Sequence, residues 1–317
     1  MALMPEFVGE SPDVLAVKER ISRLVTRASE VRRLPPVLIQ GETGTGKGLV
    51  ARSLHRAGPR SSGPFVDVNC AAIPETLLEA EMFGFERGAF TDARQAKKGL
   101  FQTAHRGTLF LDEIGLLPDG LQAKLLTVLE ERTVRRLGAT QSEPVDVWVI
   151  AATNLDLQAA TRASRFREDL YHRLAVLTLA LPPLRERQRD IVLLAEHFLA
   201  RACADYGLPA KTFSPEALTT LMAYRWPGNV RELMNTMERV ALLAEAAVVT
   251  PDLLGLDPML AAGAAGPAKE SPAAASTLAT VVDGAERAHL LEALEATGWN
   301  VTRSMVFISS RTLPGQR

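Results

Sequence analysis

Five short runs rich in apolar residues recur along the first part of the chain: Val37-Leu38-Ile39-Gln40, Phe65-Val66-Asp67-Val68, Thr108-Leu109-Phe110-Leu111, Val147-Trp148-Val149-Ile150 and Val176-Leu177-Thr178-Leu179. Between them, apolar residues fall at helical spacing: Val14, Val17, Ile21 and Leu24 follow the start signal Ser11-Pro12, and Leu121, Leu125, Leu126 and Leu129 share one face. Apolar strands alternating with amphipathic helices predict an α/β fold, a parallel sheet flanked by helices. From Pro182-Pro183 the pattern becomes wholly helical, with Ile191, Leu194, Phe198 and Ala202 on one stripe and Ser214-Pro215 opening a further helix. After the Trp226-Pro227-Gly228 turn, Asn229 and Glu232 have the spacing of a capping box, which puts Arg231 in the first turn of another helix. Residues 256–280 are rich in Ala, Gly, Pro and Ser, the composition of a flexible linker. The expected order is an α/β domain over residues 1–181, an all-α domain over 182–255, the linker over 256–280 and a short helical tail over 281–317.

Composition narrows the function classes. At 317 residues and 47% hydrophobic, the chain can bury a large core and is not disordered throughout. Its 36 Lys+Arg against 37 Asp+Glu leave a net charge of -1, so bulk attraction to nucleic acid or an anionic membrane is excluded and any DNA contact must be local. Cys70 and Cys203 form neither a CxxC pair nor a disulfide framework, which fits a reducing compartment. No apolar run approaches the roughly 20 residues of a membrane helix, and the N-terminus lacks a signal layout. A cytoplasmic protein without membrane contact is expected.

Two motifs carry the chemistry. Gly41-Glu42-Thr43-Gly44-Thr45-Gly46-Lys47 follows an apolar strand and precedes a helical pattern, the context of a phosphate loop. Its glycines let backbone N–H groups turn inward on phosphate oxygens, the helix start adds its dipole, and Lys47 brings a point charge to the β- and γ-phosphates. The next residue, Gly48, stands where the general motif has a hydroxyl that helps hold Mg²⁺. Gly107-Thr108-Leu109-Phe110-Leu111-Asp112-Glu113 reads as a buried strand ending in two acids, Asp112 to hold Mg²⁺ and Glu113 to polarise the attacking water. ATP and Mg²⁺ are the expected cofactors.

Between these motifs stands Gly88-Ala89-Phe90-Thr91-Asp92-Ala93, preceded by Glu81-Met82-Phe83-Gly84-Phe85-Glu86-Arg87. It resembles the G-A-F-T-G-A loop of bacterial sigma-54 activators within the AAA+ ATPases. The likeness extends through Val68-Asn69-Cys70-Ala71, Ala151-Ala152-Thr153-Asn154, Phe166-Arg167-Glu168-Asp169-Leu170-Tyr171-His172-Arg173-Leu174, Leu181-Pro182-Pro183-Leu184-Arg185-Glu186-Arg187 and Trp226-Pro227-Gly228-Asn229-Val230-Arg231-Glu232-Leu233. The resemblance covers about residues 5 to 255 and makes 182–255 a lid. It implies that Asn69 holds Glu113 in a nucleotide-dependent switch, that Asn154 senses the γ-phosphate, and that Arg231 is a second sensor. It implies further that Arg167 and Arg173 reach a neighbouring subunit's nucleotide, and that Phe7-Val8-Gly9-Glu10-Ser11 lies beside the adenine. An ATP-hydrolysing ring, a hexamer, would then press its Gly88–Ala93 loops on sigma-54 RNA polymerase and open promoter complexes.

The family pattern has an acidic residue at Gly48, Gly at Asp92 and Arg at Trp148, so the sequence departs at three places without losing a catalytic group. With no sensory domain before Phe7, control by a separate regulatory protein, or a fragment of a longer chain, is expected. The tail over 281–317 is similar to the start of a helix-turn-helix, but Pro314-Gly315 cuts its last helix short, and it is expected to bind DNA weakly or not at all. A protein-remodelling AAA+ chaperone and a weakly hydrolysing regulatory subunit are the alternative readings.

Overall fold

In a computed structural model of the chain, residues 7–257 are described except positions 29, 32 and 92, and all of them lie in one compact unit spanning residues 1–264. The tail, and all but the first two residues of the linker, lie outside the described residues.

The chain runs α1 (Pro12–Ala28), β1 (Val37–Gln40), α2 (Lys47–Ala57), β2 (Phe65–Asn69) and α3 (Glu75–Phe83). A two-residue hairpin, β3 (Gly84–Phe85) with β4 (Lys97–Lys98), carries the Gly88–Ala93 loop, and α4 (Leu100–Thr103) leads into β5 (Thr108–Asp112). Then come α5 (Asp119–Glu131), a second small hairpin of β6 (Thr133–Val134) and β7 (Glu143–Pro144), β8 (Trp148–Thr153), α6 (Leu157–Arg162), α7 (Glu168–Leu174) and β9 (Leu177–Ala180). The remainder is mostly helical: α8 (Arg189–Asp205), α9 (Pro215–Ala223), α10 (Asn229–Leu243) and α11 (Pro251–Leu254), with β10 (Thr212–Phe213) pairing with β11 (Val248–Val249).

Five parallel strands form the main sheet in the order β2-β5-β8-β1-β9. Alternate residues feed two different cores, as a sheet covered on both faces requires. Leu38, Leu109, Leu111, Val149 and Ala151 pack with Leu78, Met82, Phe101, Leu121 and Leu125. Val37, Ile39, Phe110, Ile150 and Ala152 pack with Val14, Val17, Ile21, Val50 and Leu54 of α1 and α2. Trp148, at an Arg position of the family pattern, opens the central strand β8: the indole is buried beside Gly58, and Nε1 donates to the Pro35 carbonyl at 3.0 Å.

The helical part has its own core of Ile191, Leu194, Leu199, Leu221, Trp226, Leu233, Met237 and Val240. Ser214 caps α9 through Ala217 N–H at 3.2 Å, with Pro215 in the first turn, as its sequence indicates. The start of α10 differs from the capping-box expectation. The Glu232 carboxylate does reach back, but to Gly228 N–H at 2.9 Å, while Asn229 sits at φ 54° and sends its side chain across to the phosphate loop. Asn is among the few non-glycine residues that tolerate this left-handed conformation.

Candidate functional site

The parallel strands bring the chemistry-bearing residues to one edge. In register Asn69 lies beside Asp112, and Gln40 beside Thr153, so the carboxyl ends of β1, β2, β5 and β8 all open toward the start of α2. The phosphate loop leaves β1 there, tied down by Gly41 N–H on the Thr153 carbonyl at 3.2 Å. Gly44 at φ 81° and Gly46 at φ 101° adopt backbone that side chains disfavour, and α2 begins without any side-chain cap. Its first N–H groups are thus left for an anion.

Lys47 is buried, and its Nζ donates to the carbonyls of Gly41 at 2.9 Å and Glu42 at 3.2 Å. Burial pulls its pKa below that of an ordinary lysine, opposed by the nearby charges of Glu113 and Asp112. Glu113 Oε1 lies 4.0 Å from Nζ, and Oε2 accepts from the Asn154 backbone N–H at 3.4 Å. Glu113 itself sits at φ 53°, a strained backbone of the kind found at functional sites. Asp112 Oδ1 accepts Glu113 N–H at 3.0 Å, and Asn154 Nδ2 donates to Thr43 Oγ1 at 3.2 Å. Lys47, Asp112, Glu113, Asn154 and the loop therefore form one cluster. Burial first, and the charge of Asp112 next, push the Cys70 thiol up to about 12, so that side chain stays protonated beside the acids.

Asn69 Oδ1 accepts from Ala71 N–H at 2.9 Å, so in this arrangement the side chain closes a local turn and is not bonded to Glu113. Gly48 offers no oxygen, but a Cβ there would meet only Phe110 at 3.8 Å, so the position is open to a larger side chain. Mg²⁺ is commonly held by one or two carboxylates together with substrate phosphates and water, a requirement that Asp112 at its strand end fits.

The lid contributes more than its sequence signals. Arg231 lines a cleft with Thr43, Tyr224 and Gly228, and its backbone N–H donates to the Gly44 carbonyl at 3.3 Å. Arg185 makes a two-pronged pair with Glu42 at 2.6 and 2.8 Å, holding that carboxyl below its usual range. Arg187, almost wholly buried, donates to the Thr45 carbonyl at 3.1 Å and lies 5.8 Å from the Phe7 ring. Asp190 accepts from Glu10 N–H, Ser11 N–H and Ser11 Oγ at 2.6–2.9 Å, so the Phe7–Ser11 segment is clamped to α8 beside the phosphate loop. Sequence reading named no role for Arg185, Arg187 or Asp190; charged residues within the Leu181–Arg187 run and just after it were the available signal.

The remaining residues lie outside this cluster. Arg167 is exposed and paired with Asp169 at 2.7 Å; Arg173 turns inward, with Nη2 on the Leu129 carbonyl at 3.0 Å and Nε buried without a hydrogen-bond partner among the described residues. The Gly88–Ala93 loop is closed at its base by Gly88 N–H on the Ala93 carbonyl at 2.8 Å, and Gly138 of the second hairpin abuts Ala89. Phe90 is 44% exposed and leans on Phe85 with ring centroids 4.9 Å apart, Thr91 is exposed, Ala93 is buried, and Asp92 lies outside the described residues.

A phosphate loop after β1, two acids at the end of β5 with β8 between the two strands, and a helical lid touching the loop define an AAA+ nucleotide-binding unit. Residues 7–180 match the Sigma-54 interaction domain and residues 185–270 the AAA+ ATPase lid domain. The chain belongs to the sigma-54-dependent activator family. It is similar to the response regulator protein PilR of Pseudomonas aeruginosa, 47% identical over 93% of this chain and 64% of that protein. Its likeness to the Nif-specific regulatory protein of Azotobacter vinelandii is 45% over 92% of this chain and 54% of that one. The crystal structure of NtrX from Brucella abortus in complex with ATP superposes with a TM-score of 0.73 at 32% identity, over 96% of this chain and 66% of that one. The chain thus spans between half and two thirds of the length of these relatives. Among the described residues no helix is long and apolar enough to cross a membrane.

Proposed function

We propose that the chain hydrolyses ATP in a ring of like subunits and uses its Gly88–Ala93 loops to press on sigma-54 RNA polymerase, converting closed promoter complexes to open ones. The observation that carries this reading is the convergence of Lys47, Asp112, Glu113 and Asn154 on the phosphate loop, within one unit that also presents Phe90 and Thr91 to solvent. Family membership supports the partner, and NtrX crystallised with ATP supports the ligand.

In this reading the loop N–H groups and Lys47 bind the phosphates. Asp112 holds Mg²⁺, which supplies positive charge against the phosphate oxygens when bound. Glu113, fixed by the Asn154 N–H, orients and polarises the attacking water. Asn154, whose Nδ2 donates to Thr43 of the phosphate loop, senses the γ-phosphate, and Arg231 approaches from the lid. Asn69 Oδ1 is held here by Ala71 N–H, which leaves Nδ2 as the group that would donate to the Glu113 carboxylate when the switch engages. Arg167 and Arg173 reach across to a neighbour's nucleotide.

The test is ATP-dependent open-complex formation with purified sigma-54 polymerase. ATP turnover without open complexes would favour a remodelling chaperone, and nucleotide binding without turnover would favour a regulatory subunit.

A further inference from the structure

Three consecutive carbonyls of the phosphate loop each accept a hydrogen bond from a residue beyond position 181. Asn229 Nδ2 donates to Thr43 at 3.0 Å, Arg231 N–H to Gly44 at 3.3 Å and Arg187 Nη2 to Thr45 at 3.1 Å. Asn229 Nδ2 is also 3.1 Å from Glu42 Oε2, the same carboxylate that Arg185 grips with both guanidinium nitrogens. The approach is close: a Cβ on Gly44 would lie 2.2 Å from the Gly228 carbonyl. Asn229 is fixed from its other end, where Oδ1 accepts Leu184 N–H at 2.8 Å.

We propose that the lid holds the phosphate loop from behind, and that Asn229, with the Glu42–Arg185 pair, is a positioning element that links nucleotide release to lid movement. The inference rests on the nucleotide reading given above and adds a route that does not pass through the Arg231 side chain. A peptide group whose carbonyl is engaged is held in orientation, so carbonyls drawn to the lid keep the loop's N–H groups turned toward the phosphates. The two sides of a peptide also polarise each other, so an anion on the N–H side strengthens the bonds on the carbonyl side. Nucleotide therefore favours the closed lid, and by linkage the closed lid retains nucleotide to the same extent. Any opening that separates Gly228 from Gly44 must break these bonds together.

Stopped-flow release of a fluorescent ADP from the full chain tests this. Asn229→Asp keeps the acceptor for Leu184 and the left-handed backbone, but replaces the donor with a carboxylate facing Glu42 and the Thr43 carbonyl. ADP release should quicken about tenfold, in line with the loss of one to two hydrogen bonds, and KM for ATP should rise more than kcat changes. Arg185→Met and Glu42→Gln should each quicken release a few-fold, and the double variant should be no faster than the worse single one, because both remove the same pair. Adding Glu42→Gln to Asn229→Asp should slow release again, since the new amide can donate to the introduced carboxylate. Parent-like release from Asn229→Asp with an unchanged melting temperature would overturn the proposal; if that variant does not fold, parent-like release from Arg185→Met, altered at a half-exposed position, does the same. A parent chain that holds no fluorescent ADP would instead overturn the nucleotide reading, and this inference with it.

Discussion

Burial works against the charge on Lys47, whose pKa is held below the ordinary lysine value, while Glu113 and Asp112 oppose that shift. The residue keeps its place through bonds to the Gly41 and Glu42 carbonyls, contacts that phosphate oxygens would replace. Lys47→Ala should therefore lose most ATP affinity, whereas Glu113→Gln should bind ATP and hydrolyse it roughly 100-fold or more slowly, the usual scale of a lost general base. Nucleotide titration and phosphate-release rates separate the two, and parent-like turnover by Glu113→Gln would sink the water-activating role. A second residue gives a pH signature. His55 is buried against Thr108 Oγ1 at 2.9 Å, and burial holds its pKa below 6.5. The unfolded chain then takes up the proton first, so this contribution to stability is full above pH 6.5 and is lost as pH falls through the lower folded value. The fall in melting temperature from pH 7.5 toward pH 5 should be shallower in His55→Gln, and equal slopes would count against it. Lys47, Asp112 and Glu113 could be read from sequence because each belongs to a short local motif at a strand end. Glu42 and Arg185 could not be paired that way: their contact closes across 143 positions, and nothing local in either segment marks it.

All five strands of the main sheet are legible, within one residue at each end except that β8 runs three residues past Ile150, because the inner strands, buried on both faces, are written as continuous apolar runs, and the outer two keep enough apolar residues to show. The helical stripes were legible too, although Val25 is buried where the pattern ran through half-buried Leu24, and Leu199 where it ran through half-buried Phe198. The two small hairpins were not, since β3, β4, β6 and β7 have two residues each and show no alternation. Yet these hairpins hold the Gly88–Ala93 loop. Phe85 bridges to Leu137, Glu86 N–H donates to the Leu137 carbonyl at 2.9 Å, and Arg136 joins Glu86 to Glu143. With the base fixed and Phe90 half exposed at the tip, Phe90→Ala should cost well under the ~3–5 kcal/mol of a core Phe truncation. It should leave ATP turnover largely intact while abolishing recovery of sigma-54 in a pull-down with a transition-state analogue. A large drop in melting temperature would mean that Phe90 serves packing instead, and undiminished pull-down would remove the loop from the contact.

At the scale of the whole molecule, the two arginines of the Phe166–Leu174 run stand apart from the nucleotide cluster of their own subunit. Arg167 projects from the start of α7 with its guanidinium bonded to neighbouring Asp169, an exposed pair of the kind that contributes little and is readily exchanged. Arg173 is drawn inward onto the Leu129 carbonyl at the end of α5, so it must change partner to reach out, whereas Arg167 need only leave a surface carboxylate. A planar guanidinium delivered to a phosphate from a second subunit completes a site that neither subunit completes alone. Two consequences can be measured. Turnover per chain should rise with protein concentration as subunits assemble. Mixing should also rescue: an Arg167→Ala subunit keeps its own nucleotide cluster but no longer offers Arg167 to its neighbour, and a Lys47→Ala subunit offers Arg167 but holds no nucleotide of its own. Each is nearly inactive alone, yet wherever the Lys47→Ala subunit presents Arg167 to an intact Arg167→Ala nucleotide site, that site should turn over. The same cross with Arg173→Ala should recover activity only if Arg173 leaves Leu129 in the assembly. Activity of the Arg167→Ala mixture that never exceeds the sum of its separate components, at concentrations where sedimentation shows mixed rings, would contradict action across the subunit boundary.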